Sequence, residues 1–274
     1  MELTEQQVNF FHTFGYLALP NLFSSQEIKQ VTEAFDYSIQ NFGGGKTHDG
    51  CKRTMFGGPI EHLPELCALL DDPRIVGVAG GVLGEDFNYA GGDGNYYTGD
   101  TGWHPDGNWG QLFSCKIAFY LDPLTRDTGC LRVIPGSQRP DHFVRAEKID
   151  PNRSQELFGI PPHNFPTNVA LETTPGDLVI FNHDTYHASF GGGKQRRMFT
   201  MNLTRNCKTV EDIATLRQYL SVHSAGGYNI DTGAGMYFPP MLDTANEDRM
   251  IHLRQIADMH DDMFPQYARK RQTA

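Results

Sequence analysis

The chain begins with two segments in which apolar residues recur at the three- to four-residue spacing of an amphipathic helix. The first covers residues 4–15, and Thr4 and Gln7 form a capping box that predicts its start. The second covers residues 24–42, and the residues between the two segments, 16–19, are typical of a short strand. The pattern therefore predicts a helical N-terminal part.

The next segment, residues 43–58, interrupts this pattern with glycine, lysine and histidine. Its composition predicts a surface loop, long enough to act as a lid, in which Lys46, Lys52 and Arg53 could contact an anionic group. Residues 62–82 return to helical spacing and predict one or two short helices.

From about residue 87 the spacing changes to short apolar runs separated by Gly, Pro, Asp and Asn. The runs that predict strands are residues 96–98, 112–121, 131–134, 168–172, 178–181 and 197–204. No run of helical period long enough for a parallel crossover separates them, so an antiparallel arrangement is favoured. The predicted fold class is mainly β, a barrel or jelly roll with flanking N- and C-terminal helices.

After residue 205 the sequence becomes helical again, most clearly in residues 243–260. We therefore predict a single domain with three parts. They are a helical N-terminal part (1–86), a β core (about 87–205) and a helical C-terminal extension (206–274). The extension would either cap an active site or form a dimer interface.

Composition and charge narrow the classes of function. Of the 274 residues, 39% are hydrophobic and 20% are charged, which is enough apolar material for a core. The net charge of −10 argues against a nucleic-acid partner and against docking to an anionic membrane. Five cysteines without a C-x-x-C pair indicate reduced thiols rather than disulfides or a cysteine zinc site. Without a signal-like start or a membrane-length apolar run, we expect a cytoplasmic monomer or homodimer that acts on a small molecule.

Histidine and carboxylate spacing gives the first candidate chemistry. Of two H-x-D triplets, the one at residues 260–262 lies among charges at the end of a predicted helix. The other, His104-Pro105-Asp106, directly follows a predicted strand. In extended structure residues i and i+2 project to the same side, so one imidazole and one carboxylate can reach a common point. That is two thirds of a 2-His-1-carboxylate facial triad, the ligand set of non-heme Fe(II) oxygenases.

A third ligand is expected on a later strand. Residues 174–187 contain a turn, an apolar strand and a polar exit with His183 and His187. About ten residues further on, Arg196 and Arg197 begin another apolar strand. A buried Arg requires an anion, and its planar guanidinium suits a carboxylate. A histidine and an arginine at this spacing would together hold a metal ion and the far carboxylate of a 2-oxo diacid.

Further segments occur in a fixed order around these residues. In chain order the segments are Leu3-Thr4-Glu5-Gln6-Gln7-Val8, Phe14-Gly15-Tyr16-Leu17, Gly102-Trp103-His104-Pro105-Asp106, Asp127-Thr128-Gly129-Cys130-Leu131-Arg132-Val133-Ile134-Pro135-Gly136-Ser137, Pro175-Gly176-Asp177, His187-Ala188-Ser189 and Arg196-Arg197. In this order they resemble the phytanoyl-CoA dioxygenase family, over residues 1 to about 205. The resemblance implies a double-stranded β-helix (jelly roll, cupin-like) fold. It also implies a dioxygenase that uses Fe(II), 2-oxoglutarate and O₂, and that hydroxylates or otherwise oxidises a small molecule by hydrogen abstraction, with release of succinate and CO₂.

The resemblance implies site residues as well. The metal ligands would be His104, Asp106 and His187. His187 is preferred over His183 because the family places its distal histidine eleven residues after the glycine of Pro-Gly-Asp, here Gly176. Residues that would bind 2-oxoglutarate are Arg196, Arg197, Ser189, Thr128, Asn95 and Thr101. Because Arg196 and Arg197 point to opposite faces of a strand, only one of them should bind.

Aromatic and polar residues near the motifs are candidate substrate contacts, namely Trp103, Asn108, Trp109, Tyr97 and Tyr186. Two alternatives to the dioxygenase remain. A zinc-dependent hydrolase would use His183 and His187 of an H-D-x-x-H string, which needs a helix to place both on one face. A non-catalytic jelly-roll protein would keep the fold and bind a small molecule without turnover.

Overall fold

The computed structural model of the chain describes residues 1–43, 47–109 and 111–269. Lys46, one of the three loop cations named above, lies outside the described residues. The helices are α1 (Glu5–Phe14), α2 (Ser25–Phe42), α3 (Pro64–Cys67), α4 (Pro73–Leu83), α5 (Phe143–Ala146), α6 (Ser154–Phe158), α7 (Val210–His223), α8 (Pro239–Asp243) and α9 (Glu247–Met263). The strands are β1 (Tyr16–Leu19), β2 (Thr54–Gly57), β3 (Asn88–Tyr89), β4 (Asp93–Tyr97), β5 (Thr101–His104), β6 (Ser114–Tyr120), β7 (Leu131–Val133), β8 (Val169–Leu171), β9 (Leu178–Asn182), β10 (His187–Ser189) and β11 (Arg196–Thr204).

Both N-terminal helices begin at capping boxes. The Thr4 hydroxyl accepts a hydrogen bond from the Gln7 N–H at 3.2 Å, and the Gln7 side chain accepts one from the Thr4 N–H. Ser24 and Glu27 repeat the arrangement at the start of α2. Gly15 ends α1 with a φ of 81°, a left-handed conformation that glycine adopts without a steric penalty. The predicted helix starts are therefore confirmed.

Two antiparallel sheets form the β core. The larger sheet has the strand order β1-β9-β6-β11-β4-β2, and β3 pairs with β11. The smaller sheet has the order β5-β10-β7-β8. Every pairing between the described strands is antiparallel. This is the predicted mainly β, jelly-roll arrangement with flanking helices.

Three boundaries differ from the prediction. The segment expected to be a loop contains β2, which pairs with β4 at the edge of the larger sheet. The β core reaches further towards the N-terminus than residue 87, because β1 pairs with β9. The last long helix begins at Glu247 rather than at residue 243, since the Asn246 side chain caps it by accepting the Arg249 N–H.

Helices α1–α4 and α7–α9 share one apolar cluster with the larger sheet. Residues of the C-terminal helices, such as Leu216 and Leu220 of α7 and Ile256 of α9, are fully buried in this cluster. All five cysteines lie within the described residues and are free thiols. Among the described helices, none is both long and apolar enough to cross a membrane.

Candidate active site

The sheet register brings the three predicted metal ligands together. His104 ends β5 and His187 begins β10, and the two residues are direct partners in these adjacent strands. Their ring centroids lie 4.3 Å apart. Asp106 follows β5 by two residues, and one ligand atom from each of the three residues lies within 4.8 Å of the others. In the described part of the chain, this is the group that could hold a metal ion.

The backbone fixes the orientation of both imidazoles. His104 Nδ1 lies 2.8 Å from the Gly102 carbonyl oxygen, and His187 Nδ1 lies 2.9 Å from that of Thr185. Because a carbonyl oxygen only accepts, each Nδ1 carries the proton and each Nε2 lone pair faces Asp106. Two neutral imidazoles and one carboxylate are the donor set of a non-heme Fe(II) site, so these residues fit that ion.

Electrostatics favours the ligating forms of these groups. Burial lowers the pKa of His187 to about 4, which keeps the imidazole neutral at physiological pH. Burial alone would raise the pKa of Asp106, but the Lys116 ammonium and the neighbouring His187 and His183 hold it well below its usual value. The carboxylate is therefore ionised and available to a cation.

The first histidine of the H-D-x-x-H string, His183, is not part of the metal-ligand group. Residues 183–186 form a turn between β9 and β10 rather than a helix, so His183 and His187 do not share a helical face. His183 Nδ1 lies 2.9 Å from the Ser114 hydroxyl, and burial lowers its pKa to about 3. The zinc-hydrolase alternative therefore lacks the helix that it requires. His260, of the other H-x-D triplet, is buried in α9, where its Nε2 accepts the Gly226 N–H.

The two neighbouring arginines separate as strand alternation requires. Arg197 faces away from the cavity and forms ion pairs with Asp122 at 2.6 Å and Asp36 at 2.8 Å. Arg196 points into the cavity and is 6% exposed. Its guanidinium donates to the Ser189 hydroxyl, the Gly129 carbonyl oxygen and, at 2.9 Å, the carbonyl oxygen of Gly99.

Arg196 is a buried cation whose hydrogen-bond partners among the described residues are all uncharged. No carboxylate of the described residues lies within ion-pair distance of it, and burial lowers its pKa. Its Nε is buried and has no hydrogen-bond partner in that part of the chain. A buried cation without a counter-ion is costly, so the cavity beside Arg196 is suited to an anionic ligand.

The four other residues predicted to contact 2-oxoglutarate do not all reach the cavity. Ser189 and Thr101 line the cavity with Arg196. Asn95 is fully buried behind the wall, where its amide lies between Arg53 and Asp93. Thr128 is a turn residue whose hydroxyl accepts the Thr125 N–H at 2.8 Å. The structure therefore brings Ser189 and Thr101, but not Asn95 or Thr128, to the cavity surface.

Of the five predicted substrate contacts, all of them described residues, Tyr97 alone lines the cavity. Trp103 is buried in an apolar cluster, and its indole N–H donates to the Pro162 carbonyl oxygen. Trp109 packs on Phe113 and Tyr219, whereas Asn108 and Tyr186 both contact Arg145. Of these five residues, the structure therefore places only Tyr97 at the cavity surface.

The cavity has a volume of about 480 Å³ and includes groups that the sequence analysis missed. Lys116 of β6 contacts Asp106, and Glu61 is a buried carboxylic acid at another part of the wall. Residues of the C-terminal extension also line it, namely His223, Tyr228, Ile230, Met236 and Phe238. The one available signal was alternation in β6, which places Lys116 on the same face as Ala118 and Tyr120.

Comparison with known proteins gives the family. The profile of phytanoyl-CoA dioxygenase (PhyH) matches residues 11–198, which is more than half of the chain. The protein belongs to the phytanoyl-CoA dioxygenase family. Membership confirms the predicted family and class of enzyme. The matched segment holds the metal-ligand motifs and ends before the C-terminal extension.

Relatives and solved structures agree with this assignment. Ectoine dioxygenase of Stutzerimonas stutzeri (strain A1501) is 28% identical over 222 residues, which cover 69% of this chain and 72% of that enzyme. HygX from Streptomyces hygroscopicus, solved with nickel and 2-oxoglutarate bound, has a TM-score of 0.61 at 16% identity, over 75% of this chain and 88% of that one. The non-heme alpha ketoglutarate dependent carbocyclase SnoK has a TM-score of 0.57 at 21% identity, over 74% and 84%. These structural likenesses confirm the jelly-roll fold.

Proposed function

We propose that this family member is an Fe(II)- and 2-oxoglutarate-dependent oxygenase that hydroxylates a small molecule. One observation supports the proposal. The same cavity is lined by a 2-His-1-carboxylate set and by the buried guanidinium of Arg196, which has no counter-ion among the described residues. His104, Asp106 and His187 would hold the iron. With 2-oxoglutarate, the iron would activate O₂ for hydrogen abstraction from the substrate, and succinate and CO₂ would be released.

The chain's own residues position the reactants. Arg196 would bind the far carboxylate of 2-oxoglutarate with its guanidinium fork. Ser189 would help to hold that guanidinium, because its hydroxyl accepts from Arg196 and donates to the Gly129 carbonyl oxygen. The carbonyl oxygens of Gly99 and Gly129 orient that guanidinium before the ligand arrives. Apolar side chains between Arg196 and the metal ligands would exclude water from this part of the cavity; they include Ala118, Leu131 and Met198.

The substrate would bind between the metal ligands and the C-terminal extension. We propose that the extension belongs to the same domain and caps the site, because its residues line the cavity and its helices join the common apolar cluster. Ectoine dioxygenase is one of the relatives matched by sequence, and its name supports a dioxygenase reaction over that of the carbocyclase SnoK. Five free thiols and the net charge of −10 support a cytoplasmic enzyme acting on a small molecule.

The test compares the two neighbouring arginines. Anaerobic titration of the apo-protein with Fe(II) and 2-oxoglutarate should give the weak visible charge-transfer band of the chelate. Arg196→Met should weaken 2-oxoglutarate binding at least about 30-fold, because a carboxylate would lose its buried partner. Arg197→Met should keep the band and lower only the thermal stability, since it breaks the ion pairs to Asp122 and Asp36. A wild-type protein that binds Fe(II) but shows no band at saturating 2-oxoglutarate would contradict the proposal.

A further inference from the structure

Lys116 is a buried cation on the cavity-facing side of β6. Its Nζ lies 2.8 Å from Asp106 Oδ2, and its side chain is only 16% exposed. In the larger sheet Lys116 pairs with Phe181 of β9 and Asn202 of β11. Asp106 follows β5 of the smaller sheet, so the ion pair crosses the cavity from one sheet to the other.

The other nearby carboxylate is already neutralised. Asp93 lies 2.8 Å from the Arg53 guanidinium, and it also accepts hydrogen bonds from the Asn95 amide at 2.6 Å and the Thr200 hydroxyl at 2.8 Å. A buried ammonium rarely lacks a close anion, because desolvating an unpaired charge is costly. Asp106 is therefore the carboxylate that balances the charge of Lys116.

The contact leaves part of the carboxylate available to a metal ion. Oδ1 of Asp106 faces His104 Nε2 at 3.8 Å, whereas Oδ2 faces both Lys116 and, at 3.6 Å, His187 Nε2. A carboxylate offers about four lone-pair sites, so it can contact the Lys116 ammonium and bind a cation at the same time. Groups that hold a ligating carboxylate in this way set its orientation.

We propose that Lys116 is a positioning residue for the metal site, acting by holding the second oxygen of Asp106. The proposal rests on the proposed function only in that Asp106 is a metal ligand. Residues that contact a ligand in this way typically contribute a factor of about 10–100 to metal affinity. Lys116 does for Asp106 what the Gly102 and Thr185 carbonyl oxygens do for the two imidazoles.

The test is calorimetric titration of the apo-protein with Co(II), together with the visible spectrum of the Co(II) form. Lys116→Met should bind Co(II) about 10–100-fold more weakly and change the ligand-field bands, since Asp106 loses its orienting partner. Lys116→Arg should restore most of the affinity and the wild-type spectrum. Lys116→Gln, which keeps a donor but no charge, should be intermediate. Lys208→Met is the matched control, because it breaks an exposed ion pair with Asp86.

Several results would overturn the inference. Unchanged affinity and spectrum in Lys116→Met would show that Lys116 does not act on Asp106. Tighter Co(II) binding would show that the ammonium only competes with the metal for the carboxylate. If the Met variant fails to fold, the Arg and Gln variants provide the test. Because Arg keeps both the charge and the donor and Gln keeps only the donor, Co(II) affinity should be higher in Lys116→Arg than in Lys116→Gln. The series uses no 2-oxoglutarate, so its failure is distinct from that of the chelate band.

Discussion

The two sides of the cavity are built differently. The proposed metal ligands lie on β5 and β10, or directly after them, and ladder hydrogen bonds set their register. The opposite wall comes from residues 224–238, a segment between α7 and α8 in which the described residues form no strand. The metal side is therefore positioned by backbone pairing, whereas side-chain contacts position the wall.

The contacts that join the wall to the rest of the fold include hydrogen bonds between residues distant in sequence. The Phe238 N–H donates to Glu61 at 3.1 Å, and the Tyr237 hydroxyl donates to the Tyr89 carbonyl oxygen at 2.6 Å. The Tyr89 hydroxyl in turn donates to Glu61 at 3.0 Å. A sheet register therefore fixes the proposed metal ligands, while the shape of the cavity also depends on a segment outside the two sheets.

The largest expected effect is on the metal side. His187→Ala should abolish metal binding, because a facial triad cannot form from two ligands at this site. His183→Ala should keep metal binding and lose only stability, since His183 bonds to Ser114 within the fold. Metal content after equilibrium dialysis, with thermal unfolding as a folding control, measures both. Equal loss of metal in the two variants would mean that the site is not the triad described above.

The second-largest effect is expected at Glu61, the buried carboxyl group that accepts the Phe238 N–H of the wall. Burial raises the pKa of Glu61 to about 7 from an unfolded value near 4.5. Because the folded pKa is the higher one, this group stabilises the fold fully below pH 4.5, and the contribution is lost as pH rises through about 7. The stability of the wild type relative to Glu61→Gln should therefore fall by on the order of 3 kcal/mol over this range. Urea unfolding at several pH values measures it, and a pH-independent difference would show that Glu61 is not buried as an acid.

The smallest effect is expected on the wall itself. Tyr228 lines the cavity and is 59% exposed, so Tyr228→Ala should cost little stability. It should leave the 2-oxoglutarate chelate band unchanged. The ratio of the rates with different small-molecule substrates should change by about tenfold. Succinate release across a substrate panel measures this. Tyr37, 54% exposed and a member of α2, is the matched control. A weakened chelate band in Tyr228→Ala would show that the two sides are not independent.

Local features could be predicted from residues close together in the chain. Capping boxes at Thr4 and Ser24 set the helix starts, because a cap involves residues only three apart. Strand alternation determined that only one of Arg196 and Arg197 could enter the cavity. The H-x-D spacing placed His104 and Asp106 on one side of the chain, and the family's motif spacing selected His187.

Contacts between residues far apart in the chain follow from the packing of the whole fold, and the sequence pattern did not predict them. Arg197 forms ion pairs with Asp122 and Asp36, so Arg196 is the arginine that faces the cavity. The fold also pairs Lys116 with Asp106 across two sheets, and Glu61 with the N–H of Phe238, 177 residues away in sequence. Periodicity and caps report contacts within a few residues, so they fix elements and their faces. Register between strands and the packing of distant segments depend on the whole buried surface, and these determine the pocket.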